Sequence, residues 1–371
     1  MNVPGPTRIE EIPPRRPIQA ALTGVTAFVG SASAGPVAQP VRFQSAWKIE
    51  ETFGGFGSGH ALGYALRDFF LNGGGEAFAV RTRTSLAADV EGMREALRVL
   101  EATDFDLLAL LPDTPQGDVP PALLTEAIAL CERRRAMLLV DAPSAWAGAG
   151  DALAAMAAGV IPRSRDAALY FPRLHAHDGT GGREGAVSAL GAVAGCVART
   201  DARHGVWKSP AGSEATLYGF TPALALNNLD AGRLNPLASN AIRSLPYGGT
   251  CLWGGRTLRG ADGLADDYKY LAVRRLALLL QRSLDRGLDW VVFEADSERL
   301  RSDVRREVET FLHGLFRDRA FSGNKPSDAF FAQCEPAIVG APPTLDLLVG
   351  FAPIKPAEFL VFRLQKPLAP G

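Results

Sequence analysis

The stretch DFDLLALLPDTPQGDVPPALLTEAIALCERRRAMLLVDAP, residues 104–143, decides the fold class. Its two ends, DFDLLALLP (104–112) and AMLLVDAP (136–143), are near-continuous apolar runs of strand length. Between them, 118–135 has helical spacing, with prolines in its first turn and Asp118 as a plausible N-cap. A strand that is apolar on both faces needs cover on both faces. This segment therefore reads as strand–helix–strand in a partly parallel sheet between two layers of helix.

The alternation continues outward. Toward the N-terminus, LTGVTAFVG (22–30) and EAFAVRT (76–82) read as strands, and 36–47 as a loop with a short strand. HALGYALRDFFLN (60–72) reads as a helix with Leu62, Leu66, Phe69 and Phe70 on one side, and 87–102 as a second helix. Toward the C-terminus, 172–188 is a polar, Gly-rich loop, 185–199 a helix of small residues, and 200–250 is dense in Gly, Pro and Asn. Strands are expected at 240–245, 249–253 and 289–295, and helices at 266–286 and 297–319. The last helix carries Leu300, Val304, Val308, Phe311, Leu312 and Leu315 on one face. Three apolar runs, DAFFAQC, TLDLLVGFAPI and PAEFLVFRL, end the chain. The expected class is α/β: a mixed sheet core covered by helices on both faces, with extended N- and C-terminal arms.

Composition narrows the function. Apolar residues make up 47% and charged residues 21% of 371, which fits a globular chain with a sizeable core. A net charge of -1 lacks the basic footprint of a nucleic-acid binder. No apolar stretch is long enough for a membrane span, and the N-terminus has no signal-peptide pattern, so a cytoplasmic product is expected. Cys131, Cys196, Cys251 and Cys334 stand far apart and read as core thiols.

No cofactor, metal or catalytic site survives inspection. NGGG at 72–75 follows a helix and precedes a strand, the reverse of a phosphate cradle, so it reads as a C-cap. His175 and His177 have ligand-like spacing but lack further ligands. Asp141 after a strand, with His177-Asp178-Gly179 beyond, suggests an α/β hydrolase-like enzyme, yet no nucleophile motif accompanies them. Asp266 and Asp267 read as dipole partners at a helix start.

The termini stand out. Residues 1–20 hold five prolines (Pro4, Pro6, Pro13, Pro14, Pro17) and form an extended arm, within which Ile9, Glu10 and Ile12 belong to a short potential strand. Phe359, Leu360, Val361, Phe362 and Arg363 belong to a strand bounded by Pro356 and Pro367. It is either an interior strand of the chain's own sheet or one that pairs with a neighbouring subunit.

Several runs together resemble the tail sheath proteins of contractile bacteriophages and extracellular contractile injection systems. They are Ile9–Pro13 with Arg16–Ile18, Gly24–Gly30, Phe69–Gly75 with Ala79–Arg81, Gly195–Asp201 leading into Gly205–Gly212, Leu234–Pro236, Asn240–Arg243, Trp253–Leu258, Tyr270–Leu276, Trp290–Glu294 and Pro356–Phe359. Cys196 departs from the pattern, which usually holds a larger or β-branched residue there. The resemblance implies a non-enzymatic structural subunit that stacks as hexameric rings around an inner tube and contracts to drive that tube into a target. Its implied partners are copies of itself, the inner tube, and baseplate and terminal cap proteins. It also implies a linking arm at 1–20, an α/β core at 21–250, a C-terminal domain near the tube at 251–356 and a linking strand at 357–371. Part of the family's core is subtilisin-like, which accounts for the echo around Asp141 without proteolysis. Arg301, Arg305 and Glu309, on the charged face of the helix at 297–319, are the expected tube contacts.

Overall fold

The computed structural model describes residues 17–56, 60–82, 90–177, 183–335, 343–355 and 358–369. The strands in chain order are β1 (Val25–Gly30), β2 (Pro40–Phe43), β3 (Glu76–Arg81), β4 (Leu107–Leu110), β5 (Met137–Asp141), β6 (Ala167–Phe171), β7 (Leu174–Ala176), β8 (Phe220–Pro222), β9 (Ser239–Leu245), β10 (Gly249–Trp253), β11 (Phe330–Glu335), β12 (Thr344–Phe351) and β13 (Leu360–Pro367). The helices are α1 (Ile49–Phe53), α2 (Ala61–Leu71), α3 (Val90–Val99), α4 (Pro121–Arg134), α5 (Ala149–Ala158), α6 (Leu190–His204), α7 (Asn228–Leu234), α8 (Leu271–Gly287), α9 (Glu298–Arg317) and α10 (Pro326–Ala329).

Eight strands form one sheet in the order β10-β9-β6-β5-β4-β1-β3-β2. The six inner strands run parallel. β2 and β10 close the two edges antiparallel. Register explains why the inner strands are apolar throughout. Phe28 lies beside Ala79 and Ala109, Ala109 beside Leu139, and Leu139 beside Ala168. That row faces a core covered by α2 and α6. One residue along, Val29, Val80 and Leu110 face a second core under α3, α4 and α5.

α2 and α6 approach closely because two glycines of α6 face α2. A Cβ added at Gly191 would lie 2.4 Å from the Ala65 oxygen, and one at Gly195 would lie 2.3 Å from the Phe69 oxygen. Cys196, beside Gly195, is fully buried in the same core. Its small side chain suits a helix held this near its neighbour.

A third core joins α8 and α9 to the antiparallel sheet β11-β12-β13. Ile18 and Ala21 are buried in it. α8 is bound to the main sheet by arginines on one side. Arg274 donates to Asp166 at 2.8 Å, Arg275 to Asp201 at 2.7 Å and Asp106 at 2.8 Å, and Arg282 and Arg286 both to Asp104 at 2.7 Å.

Several expectations need correction. Residues 289–293 form a 3₁₀ turn and not a strand. Leu288 and Val291 are the fully buried positions there, a spacing of three that overrides the β-propensity of Val291 and Val292. Asp118 is not an N-cap. Its carboxylate accepts from the Ser144 amide at 2.8 Å and from Arg173, while Pro120 precedes α4. α8 begins at Leu271, so Asp266 does not sit at a helix start. Its buried carboxylate instead accepts from Tyr268 N at 2.9 Å, Arg165 at 3.1 Å and Arg259 at 2.7 Å, folding the preceding turn around itself. β10 pairs antiparallel with β9 in the main sheet.

Candidate functional site

Ile9, Glu10 and Ile12 lie outside the described residues. The described chain begins at Pro17 and is fastened along the C-terminal half of α8. Ala21 N donates to Ser283 Oγ at 2.9 Å, Arg282 reaches the Leu22 carbonyl at 3.3 Å, and Ile18 packs where Gly287 leaves room.

At the other end, β13 pairs antiparallel with β12 of its own chain, Leu360 opposite Phe351 through Pro367 opposite Thr344. β13 is the edge strand, and no described strand pairs with its other side. Its faces differ. Leu360, Phe362 and Leu364 are buried in the third core, whereas Val361 is 47% exposed. Arg363, also outward, bonds Asp346 at 2.6 Å. Phe359 is exposed and lies 5.8 Å from the Phe331 ring on β11. The strand thus has one packed face and one mixed face.

Arg301, Arg305 and Glu309 fall at four-residue intervals on α9 and share one flank. Arg301 is tied to Asp296, and Arg305 and Glu309 are exposed. This flank overlooks β11. Burial pushes the Cys334 thiol there up to about 11, against the opposing pull of Arg305 and Arg301.

The motif Gly195–Asp201 has a structural explanation. Arg199 donates to the carbonyls of Asn72 at 2.6 Å, at the end of α2, and of Thr216. Asp201 holds Arg275 of α8. Gly195 sets the α2–α6 distance. One helical segment thereby links α2, the main sheet and α8.

The residues with a chemical appearance have other partners. His175 Nδ1 contacts the Gly185 carbonyl at 3.0 Å and His177 Nε2 contacts Thr221 Oγ1 at 3.0 Å. No group of three metal-ligating side chains occurs among the described residues. Asp141 accepts from the Ala189 amide at 3.0 Å, just before α6, and burial pushes its carboxyl up against the influence of Arg173. The sequence did not single out Ser31 and His60, which meet at 3.1 Å beyond β1. Ser31 Oγ already donates to the Asp113 carbonyl at 2.9 Å, so it accepts from His60 and is not activated by it.

Two features that the sequence reading missed lie on the third core's surface. A groove of about 740 Å³ runs between α8, the 205–209 loop and residues 353–355. Phe293, at the end of the 3₁₀ turn, is 84% exposed. The Trp290–Glu294 run held the only sequence signal for the second, and its reading as a strand hid it.

Neither a protein-family model nor a curated protein sequence matches this chain. Solved structures do. The mixed eight-stranded sheet with its appended helical and antiparallel unit is the fold of contractile-sheath proteins. The sheath complex of an extracellular contractile injection system, PVC, in its contracted state shares 25% identity, with 98% of this chain and 97% of that chain covered and a TM-score of 0.76. The contracted helical sheath of the anti-feeding prophage (AFP) also shares 25% identity, covering 98% and 99% at a TM-score of 0.76. A sheath tail protein from Desulfitobacterium hafniense, 10% identical, shows the same fold over 98% and 100% at a TM-score of 0.69.

Proposed function

We propose that this chain is the sheath subunit of a contractile tail-like injection machine. In this reading it stacks as hexameric rings around an inner tube, associates with baseplate and cap proteins, and contracts to drive the tube into a target. The observation that carries it is the likeness to two contracted sheaths over nearly the whole of each chain. A fold matched over nearly the whole of each chain fits a building block of such a sheath.

The proposed linking elements are the arm at 1–20 and the strand at 357–371. Ile18 of the first and Leu360, Phe362 and Leu364 of the second are buried in the third core. An edge strand whose outer side pairs with no described strand offers backbone donors and acceptors to a neighbour, and an exchanged strand keeps subunits joined while their packing changes. The proposed tube-facing flank is Arg301, Arg305 and Glu309, whose charges suit a polar contact that must later release. The test is co-purification with an inner-tube protein. Reversing charge at Arg301 and Arg305 weakens that attachment while thermal unfolding stays unchanged. Undiminished attachment removes α9 from the tube interface.

A further inference from the structure

Resting on the sheath reading, we propose that Phe293 of one subunit seats in the groove beside α8 of the next, a contact between two copies of this chain. The two surfaces are complementary. The groove's apolar floor includes Trp207, Val273 and Leu276, with Ile354 at 46% exposure on its wall. Its rim carries Lys208, Arg319 and Lys355. Arg319 and Lys355 have no carboxylate partner among the described residues, and Asp318 is the acidic group that lines the groove. Phe293 projects from an exposed run that carries Glu294 and Glu298, with Asp296 paired to Arg301. Glu294 and Glu298 likewise have no cationic partner among the described residues. A large apolar anchor with acidic flanks thus matches an apolar floor with a basic rim. Rings buried at an interface centre commonly dominate binding, and the flanking charges steer and select.

Geometry sets the mode of association. The groove lies at the N-terminal end of α8, at Val273 and Leu276, while Phe293 follows its C-terminal end. Eleven residues of α8, from Leu276 to Gly287, lie between them, about 17 Å at 1.5 Å per residue, and residues 288–293 carry the chain on to Phe293. α9 then runs back, so that Arg319 just past its end reaches the groove. A subunit therefore cannot fill its own groove. A knob at one end and a socket at the other give a heterologous contact, which propagates into rings or helices and does not close as a symmetric dimer. The arginines that bind α8 to the main sheet keep knob and socket at a fixed spacing.

The experiment mixes full-length Phe293→Cys with full-length Ile354→Cys at assembling concentration under mild oxidation. Peptide mapping is expected to find a disulfide joining positions 293 and 354 across chains. In parallel, Arg319→Glu with Lys355→Glu is expected to raise the concentration needed for assembly about tenfold or more, and adding Glu294→Lys with Glu298→Lys to restore it. Sheath-like tubes that form without the crosslink and ignore the charge reversals overturn this contact and leave the sheath reading standing. A crosslink in a chain that never forms tubes supports the contact and removes the sheath reading. No association of any kind overturns both.

Discussion

At the residue scale, Arg275 matters most. It is 4% exposed and bridges Asp106 below β4 to Asp201 on α6. Replacing it with Ala leaves two carboxylates buried without their cation, and breaking a buried pair of this kind costs about 3–5 kcal/mol. Urea unfolding of Arg275→Ala should show that loss; a cost under about 1 kcal/mol would mean that water reaches the site. Around it, the half-exposed pairs act through pH. Burial opposes ionisation of Asp104, but Arg286 and Arg282 outweigh it and hold its carboxyl low. Asp285 is likewise held low against burial by Lys366 and Arg135. A depressed carboxyl stabilises the fold above the ordinary carboxylate range, near about 4, and loses that contribution as pH falls further. Thermal stability should therefore decline below about pH 4, and Asp104→Asn should flatten part of the decline. An unchanged pH profile in that variant contradicts the assignment.

At the element scale, β13 separates folding from assembly. Its inward face belongs to the third core, so Phe362→Ala should cost about 3–5 kcal/mol in the isolated subunit. Its outward face does not, so Val361→Asp should stay within about 0.5 kcal/mol of the parent while blocking polymer formation. Truncation at 357 mixes the two effects, because it strips Leu360, Phe362 and Leu364 from the core as well as removing the linking strand. Equal assembly by Val361→Asp and the parent protein, followed by light scattering, removes β13 from the subunit interface. Much of this level was legible in sequence. The runs at 107–110 and 137–141 are apolar throughout because both of their faces are covered, and the turn after α2 ends it as NGGG suggested, with Gly73 at φ 93°. Less legible were segments whose structure depends on distant partners. Residues 289–293 have strand-like composition, but Leu288 and Val291 are buried in the core, Trp290 packs partly against it and Phe293 stands outside. Asp266 resembles a helix N-terminus until Arg165 and Arg259 arrive from elsewhere in the chain.

At the scale of the whole molecule, function was legible chiefly through the ordered motif runs and much less through any single residue. Gly195–Asp201 shows why. Its glycine and arginine meet α2 and the turn that ends it, its aspartate meets α8, and no local rule of helix propensity demands that combination. The candidate site was less legible, since grooves and exposed anchors such as Phe293 arise only when separate elements pack. The candidate contact surfaces lie along β13, on α9 and at the two ends of α8. Negative-stain electron microscopy of the concentrated, full-length protein tests the sheath reading most directly. The account predicts hollow tubes or stacked rings with sixfold symmetry. A monodisperse monomer at every concentration, with intact termini, contradicts it.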